Sequence, residues 1–217
     1  GDYHHLHETI DQGIPIVMFD RVLDNMDCDK VIVDDVTTSQ LAVQKLIDNG
    51  CQNIGIISTK DYVSVGRLRT EGYLKALELN QKNVNLSYIL KIHDEFSSED
   101  NLEALEDQIL NYLSKNKELD AIFAVNELYA VTAMKVARKL GLDIPHDIQV
   151  IGFTDGVLSK HAYPPLTTVS QNGFEMGRTA AKLLINRLEK DREDIEQFET
   201  VIVNTNIIER ETTSNLK

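Results

Sequence analysis

This 217-residue sequence predicts an α/β fold of parallel strands joined by helices, and three observations carry that prediction. Short apolar or β-branched runs recur, among them Pro-Ile-Val-Met-Phe at 15–19, Asn-Ile-Gly-Ile-Ile at 53–57 and Ala-Ile-Phe-Ala-Val at 121–125. Stretches with a helical hydrophobic period separate them. The runs are continuously apolar rather than alternating, which marks strands buried on both faces. Such strands are parallel and need helical crossovers.

Taken in order, 15–19 reads as the first strand. In 36–49 the residues Leu41, Ala42, Leu46 and Ile47 share a helical face, Thr37 or Thr38 can cap the start, and Gly50 stops the helix. A buried strand at 53–58 follows, then a helix over 69–79, a strand at 88–92 and a helix opening at Ser98 with Glu99 and Asp100 suiting its dipole. The strand at 120–125 leads into a helix at 127–140 ended by Gly141, and Ile144-Pro145 leads into a strand at 148–153. The loop 154–168 is punctuated by Pro164-Pro165, which favours an extended approach to the strand at 167–170. A long amphipathic helix at 174–188, an acidic loop and two β-rich runs at 200–203 and 206–208 complete the pattern. The tail 212–217 is polar and expected to fray.

Composition excludes several classes. Acidic residues number 35 against 22 basic ones, a formal charge of −13, so this stretch by itself repels a phosphate backbone. No apolar run approaches the roughly 20 residues of a membrane span, and the first residues lack the layout of a signal peptide. Cys28 and Cys51 are too few for a disulfide framework and too isolated for a zinc site, which fits a reducing, cytoplasmic setting. The absence of an initiating Met at Gly1 suggests a fragment of a longer chain.

Catalytic motifs are absent: there is no phosphate-binding glycine loop, no nucleophile elbow and no His-Glu-x-x-His, so no enzyme is expected and no cofactor is implied. His4, His7 and Glu8 would share one helical face, but a solvated surface explains them better than a metal does. The informative feature is the gathering of polar residues at the carboxyl ends of strands: Asp20-Arg21, Asp34-Asp35, Ser58-Thr59, Asp94, Asn126-Glu127 and Thr154-Asp155. Helix amino termini and loop side chains converge there in open parallel sheets, which makes those ends the usual ligand crevice. Capping of the next helix is the ordinary explanation for any one such residue, but six strand ends with the same chemistry favour a shared cleft over six unrelated caps. Arg69, read as lying early in a helix where the dipole disfavours a cation, points to a polar or anionic partner, with a surface ion pair to Glu71 or Asp61 as the alternative.

Assembled in order, these segments resemble the LacI/GalR family of bacterial transcription regulators. The resemblance rests on Gly13-Ile14-Pro15-Ile16-Val17 with Asp20-Arg21, Leu46-Ile47-x-x-Gly50 with Ile54-Gly55, and Arg69-x-x-Gly72-Tyr73. It continues through Ala121 to Glu127, Gly141-Leu142-x-Ile144-Pro145, Val150-Ile151-Gly152-Phe153, Pro165-Leu166-Thr167-Thr168-Val169-x-Gln171, Glu175-Met176-Gly177 and Arg210-Glu211-Thr212. It implies a two-lobed periplasmic-binding-protein-like fold with an incomplete amino-terminal lobe at 1–58 and 171–191, and a carboxyl-terminal lobe at 59–170 and 192–217. By the same resemblance, a small polar metabolite, a sugar or related compound, binds between the lobes of a homodimer. Binding controls a DNA-binding headpiece that would precede this chain and contact operator DNA. A solute-binding protein of a sugar transporter is the alternative with the same fold.

The resemblance assigns ligand contacts residue by residue. Arg69 matches the arginine that grips the effector, and Phe96 the aromatic that stacks on it. Asn126 matches the polar residue before an acid, here Glu127 rather than Asp. Thr154 and Asp155 stand at the two acidic positions after Gly-Phe, with Thr154 replacing the first acid. Asp20 and Asp34 are further candidates from the other lobe.

Overall fold

The structure is a computed structural model that describes residues 3–23, 25–60, 64–92, 99–189 and 197–214. The chain divides into two compact units, one formed by Gly1–Asp34 and Gln171–Asn204 and the other by Asp35–Ser170 and Thr205–Lys217.

In the smaller unit, β1 (Val17–Phe19), β2 (Asp29–Ile32) and β8 (Thr200–Ile202) form a parallel sheet in the order β1-β2-β8. The helix α7 (Gly173–Glu189) packs on β1 and β2, and α1 (His4–Asp11) precedes β1. A buried ion pair holds these parts together. Asp29, 1% exposed, accepts two hydrogen bonds from Arg187 of α7, at 2.6 and 2.7 Å, and one from the backbone N–H of Glu199 at 2.8 Å. One carboxylate thus joins β2, α7 and the approach to β8.

In the larger unit, six strands lie in the order β4-β3-β5-β6-β7-β9. They are β3 (Ile54–Thr59), β4 (Ile89–Ile92), β5 (Ala121–Ala124), β6 (Gln149–Phe153), β7 (Thr167–Ser170) and β9 (Asn206–Ile208), all parallel except β9. The apolar runs fill the core: Ile56, Ile57, Ile122, Phe123, Val150 and Phe153 have no exposed surface. The helices are α2 (Asp35–Asp48), α3 (Ser64–Leu79), α4 (Glu99–Lys115), α5 (Glu127–Lys139) and the short α6 (Val157–His161). From β3 the chain crosses to β4 on one side and then returns to β5 on the other. Right-handed crossovers in opposite directions place helices on opposite faces, and α2 packs with α3 while α4 packs with α5. The reversal between β3 and β5 is the topological switch point of the sheet, outside whose carboxyl ends ligands bind in such folds.

Several boundaries differ from those expected. Residues 35–58 lie in the larger unit, not the amino-terminal lobe, because β3 pairs with β4 and β5. Residues 197–204 lie in the smaller unit because β8 pairs with β2. The chain therefore crosses at 34/35, 170/171 and 204/205. Helix α3 begins at Ser64, which puts Arg69 beyond the first turn, so the helix dipole gives no reason for its presence. Thr212 is not frayed. It is fully buried, accepts a hydrogen bond from the N–H of Thr167 at 2.8 Å and donates one to the carbonyl of Val150 at 2.7 Å.

Candidate functional site

The larger unit's candidate residues follow from its strand ends. Arg69 projects from α3 and is 4% exposed. Its Nε donates to Asp35 Oδ1 at 2.7 Å and its Nη1 to the carbonyl of Val125 at 2.6 Å, while its guanidinium carbon lies 3.6 Å from the centroid of the Phe153 ring. Val125 directly follows β5 and Phe153 ends β6, so the cation is fixed over the carboxyl ends of two adjacent strands. Arg69 thus pairs with Asp35, the first residue of α2, a partner the sequence had not singled out, while Asp61 lies outside the described residues. Close helix packing makes this reach possible. A Cβ on Gly72 would collide with the carbonyl of Val36 and with Ser39, so only glycine lets α3 approach the start of α2 this closely.

Asn126 and Thr154 are neighbours by register. Each lies two residues beyond a paired position, Ala124 opposite Gly152. Asn126 caps α5, its Oδ1 accepting from the N–H of Tyr129 at 2.8 Å. Thr154 has φ of 78°, a left-handed conformation that is strained for a β-branched residue. The loop after it is held from α5 by Glu127, whose Oε2 accepts from the N–H of Gly156 at 3.0 Å and from the N–H and hydroxyl of Ser159 at 3.2 and 2.8 Å. A side chain at Gly156 would meet that carboxylate.

Asp155 is committed within the protein. Its Oδ1 accepts from Arg210 at 2.6 Å and from Thr168 at 3.0 Å, and Lys160 stands 3.6 Å from Oδ2. Burial pushes its pKa up, but the hydrogen bonds from Arg210 and Thr168 and the charges of Arg210 and Lys160 outweigh burial and hold the carboxyl below its ordinary value.

In the smaller unit, Asp20 follows β1 with φ of 60° and accepts from Gln171 at 2.9 Å, and Asp34 lies exposed after β2. Phe96 lies outside the described residues. The structure thus brings Arg69, Asn126, Thr154 and Asp155 to one rim of the larger unit's sheet, while within the smaller unit Asp20 follows β1 and Asp34 follows β2. Reasoning from sequence passed over Asp35 as a partner and Glu127 as a clamp. Asp35 showed only as one of several strand-end acids, and Glu127 only as a departure from Asp.

Two cavities lie away from these side chains. One of about 600 Å³ borders β4 at Leu86, Ile89 and Leu90, and one of about 480 Å³ lies below β1 and β2 at Pro15, Asp27 and Phe198. His4 and Glu8 pair at 3.2 Å on the exposed face of α1. Among the described residues no group of three or more His, Cys, Asp or Glu could hold a metal ion, and no helix is long and apolar enough to cross a membrane.

Residues 43–213 match the family described as the periplasmic binding protein-like domain. The chain is 28% identical over 205 residues to the ribose operon repressor of Haemophilus influenzae, covering 94% of this chain and 59% of that protein. It is 30% identical over 176 residues to the HTH-type transcriptional repressor PurR of the same species, covering 81% of this chain and 51% of the relative. The chain therefore spans about half the length of the curated relatives it matches. Among solved structures, a complex of the transcriptional regulator CelR with cellobiose superposes with a TM-score of 0.82 at 26% identity, over 94% of this chain and 60% of that one.

Proposed function

The chain belongs to the periplasmic binding protein-like domain family as found in LacI-type regulators, and on that premise we propose that it is the effector-binding and dimerisation core of a bacterial transcriptional regulator. A small polar metabolite, a sugar or a close relative of one, is the effector. The observation that carries this reading is the placement of Arg69, with Asn126 and Thr154 beside it, over the carboxyl ends of β5 and β6 next to the switch point of the sheet. Arg69 supplies the charge-assisted contact, while Asn126 and Thr154 supply neutral hydrogen-bonding groups suited to hydroxyls. Asp155 and Glu127 hold the loop that presents Thr154. Asp20 and Asp34 remain candidate contacts from the smaller unit, and Phe96, which lies outside the described residues, is a candidate carried by the family resemblance alone.

No bond is made or broken in this reading. The effector binds one conformation of the core more tightly than another, and that difference shifts the equilibrium of a DNA-binding headpiece elsewhere in the complete protein. Paired headpieces of a homodimer then meet paired operator half-sites, and the protein works in the cytoplasm. The regulator reading is favoured over a transporter's solute-binding protein because the relatives that match are transcriptional repressors, one of them of a ribose operon.

The complete protein tests this directly. Its retention of its own upstream DNA is expected to change when D-ribose, cellobiose or a related neutral sugar is added, and Arg69→Ala is expected to retain DNA while losing the response. DNA retention that no sugar alters, or an Arg69→Ala protein that responds normally, contradicts the proposal.

A further inference from the structure

Arg69 does not meet a ligand as a bare cation. Its side chain and that of Asp35 are each only 5% exposed, and Nε lies 2.7 Å from the carboxylate. One face of the guanidinium rests on Phe153 and another N–H is spent on the carbonyl of Val125. Asp35 is brought in by the first turn of α2, held against α3 at Gly72. Two opposite charges this close in a weakly polar interior largely cancel each other's field. An anion brought to Arg69 would meet the carboxylate of Asp35 as well, and like charges in one dry site oppose each other strongly.

We infer that Asp35 sets the charge preference of the site: by neutralising Arg69 in place, it admits an uncharged polyhydroxyl ligand and rejects the phosphorylated or carboxylate analogue of the same compound. A neutral hydroxyl costs little to desolvate beside such a pair, whereas an anion loses its hydration and gains no net counter-charge from it. Asp35 is in this sense a positioning residue that acts through Arg69. The inference rests on the reading of Arg69 as part of the effector site.

Sulfate is a probe that needs no knowledge of the effector. Thermal unfolding of the 217-residue chain is followed in sodium sulfate and in sodium chloride at matched ionic strength, for the wild type, Asp35→Asn, Asp35→Ser and the double variant Asp35→Asn/Arg69→Gln. Sulfate stabilises folded proteins generally by exclusion from their surface, so the result is read as the difference between variants. Asp35→Asn is expected to gain a saturable rise in midpoint with an apparent sulfate affinity at least ~10-fold tighter than any wild-type response. The double variant is expected to lose that rise. Asp35→Ser, which keeps a residue suited to a helix start, is expected to behave like Asp35→Asn. A purely structural role for Asp35 would lower the midpoint without creating an anion response. Equal responses in wild type and both single variants, a saturable wild-type response that depends on Arg69, or failure of both single variants to fold would each overturn the inference. Loss of the sulfate effect leaves neutral-sugar binding through Arg69 standing, whereas a clear sulfate effect with no sugar binding at all counts against the effector reading instead.

Discussion

A buried carboxylate keeps its charge only where donors surround it, and Asp29 and Asp155 show two forms of that solution. Asp29 is held bidentately by Arg187, and truncating Arg187 removes the counter-charge and two of the hydrogen bonds of a carboxylate that stays buried. Arg187→Ala is therefore expected to destabilise the protein by ~3–5 kcal/mol, read from its urea unfolding midpoint; an unchanged midpoint contradicts this. Asp155 is less enclosed, and its pKa is depressed. A group of this kind adds stability that is present above its unfolded pKa and lost as the pH falls through the folded value. Arg210→Gln removes the guanidinium whose hydrogen bond and charge lower this pKa. It is expected to be less stable than wild type near neutrality, with the gap narrowing as the pH falls through the ordinary carboxylate range and on through the lower folded value. A gap that stays constant across that range would show that Arg210 stabilises by packing alone. Burial, with the nearby charge of Asp120, pushes the Cys51 thiol up to about 12. It should resist thiol reagents in the native protein near pH 8 and react once the chain is unfolded.

At the scale of elements, the contact of α2 with α3 sets the geometry of the site. Gly72→Ala forces the helices apart at Val36 and Ser39, and so separates Asp35 from Arg69. It is expected to cost ~1–3 kcal/mol and to weaken effector binding together with stability, whereas a change of similar size on the far side of α5 should leave binding intact. Parallel readings of stability and sugar affinity check this. The strands β3, β5 and β6 were legible because both of their faces are buried, which writes them as unbroken apolar runs. The strand β2 was not: Asp29-Lys30-Val31-Ile32 carries two charges, and its burial depends on Arg187, far along the chain. The five-residue helix α6 was too short to show a period. The order of Thr212 depends on backbone groups of β6 and β7 that the sequence of the tail does not announce. Within the site, Asn126 and Thr154 were legible by position at strand ends, and Arg69 through its place in the Arg69-x-x-Gly72-Tyr73 segment of a helix. The Arg69–Asp35 pair was not, because it joins two helices whose crossing is visible only once folded.

At the scale of the whole molecule, the formal charge of −13 and the proposed role in a transcriptional regulator are compatible because the proposed DNA contacts lie outside this chain. The 217-residue chain alone is expected to leave DNA unretarded even at low salt, where nonspecific binding is strongest; retention by this chain would place a DNA surface within it. The central claim is that the rim over β5 and β6 binds a neutral sugar through Arg69. Calorimetric titration of the 217-residue chain with neutral sugars, D-ribose and cellobiose among them, tests it most directly. Saturable binding of at least one sugar that Arg69→Ala abolishes and Asn126→Ala weakens is the predicted result. Binding that survives Arg69→Ala unchanged, or no binding by any neutral sugar, would contradict it.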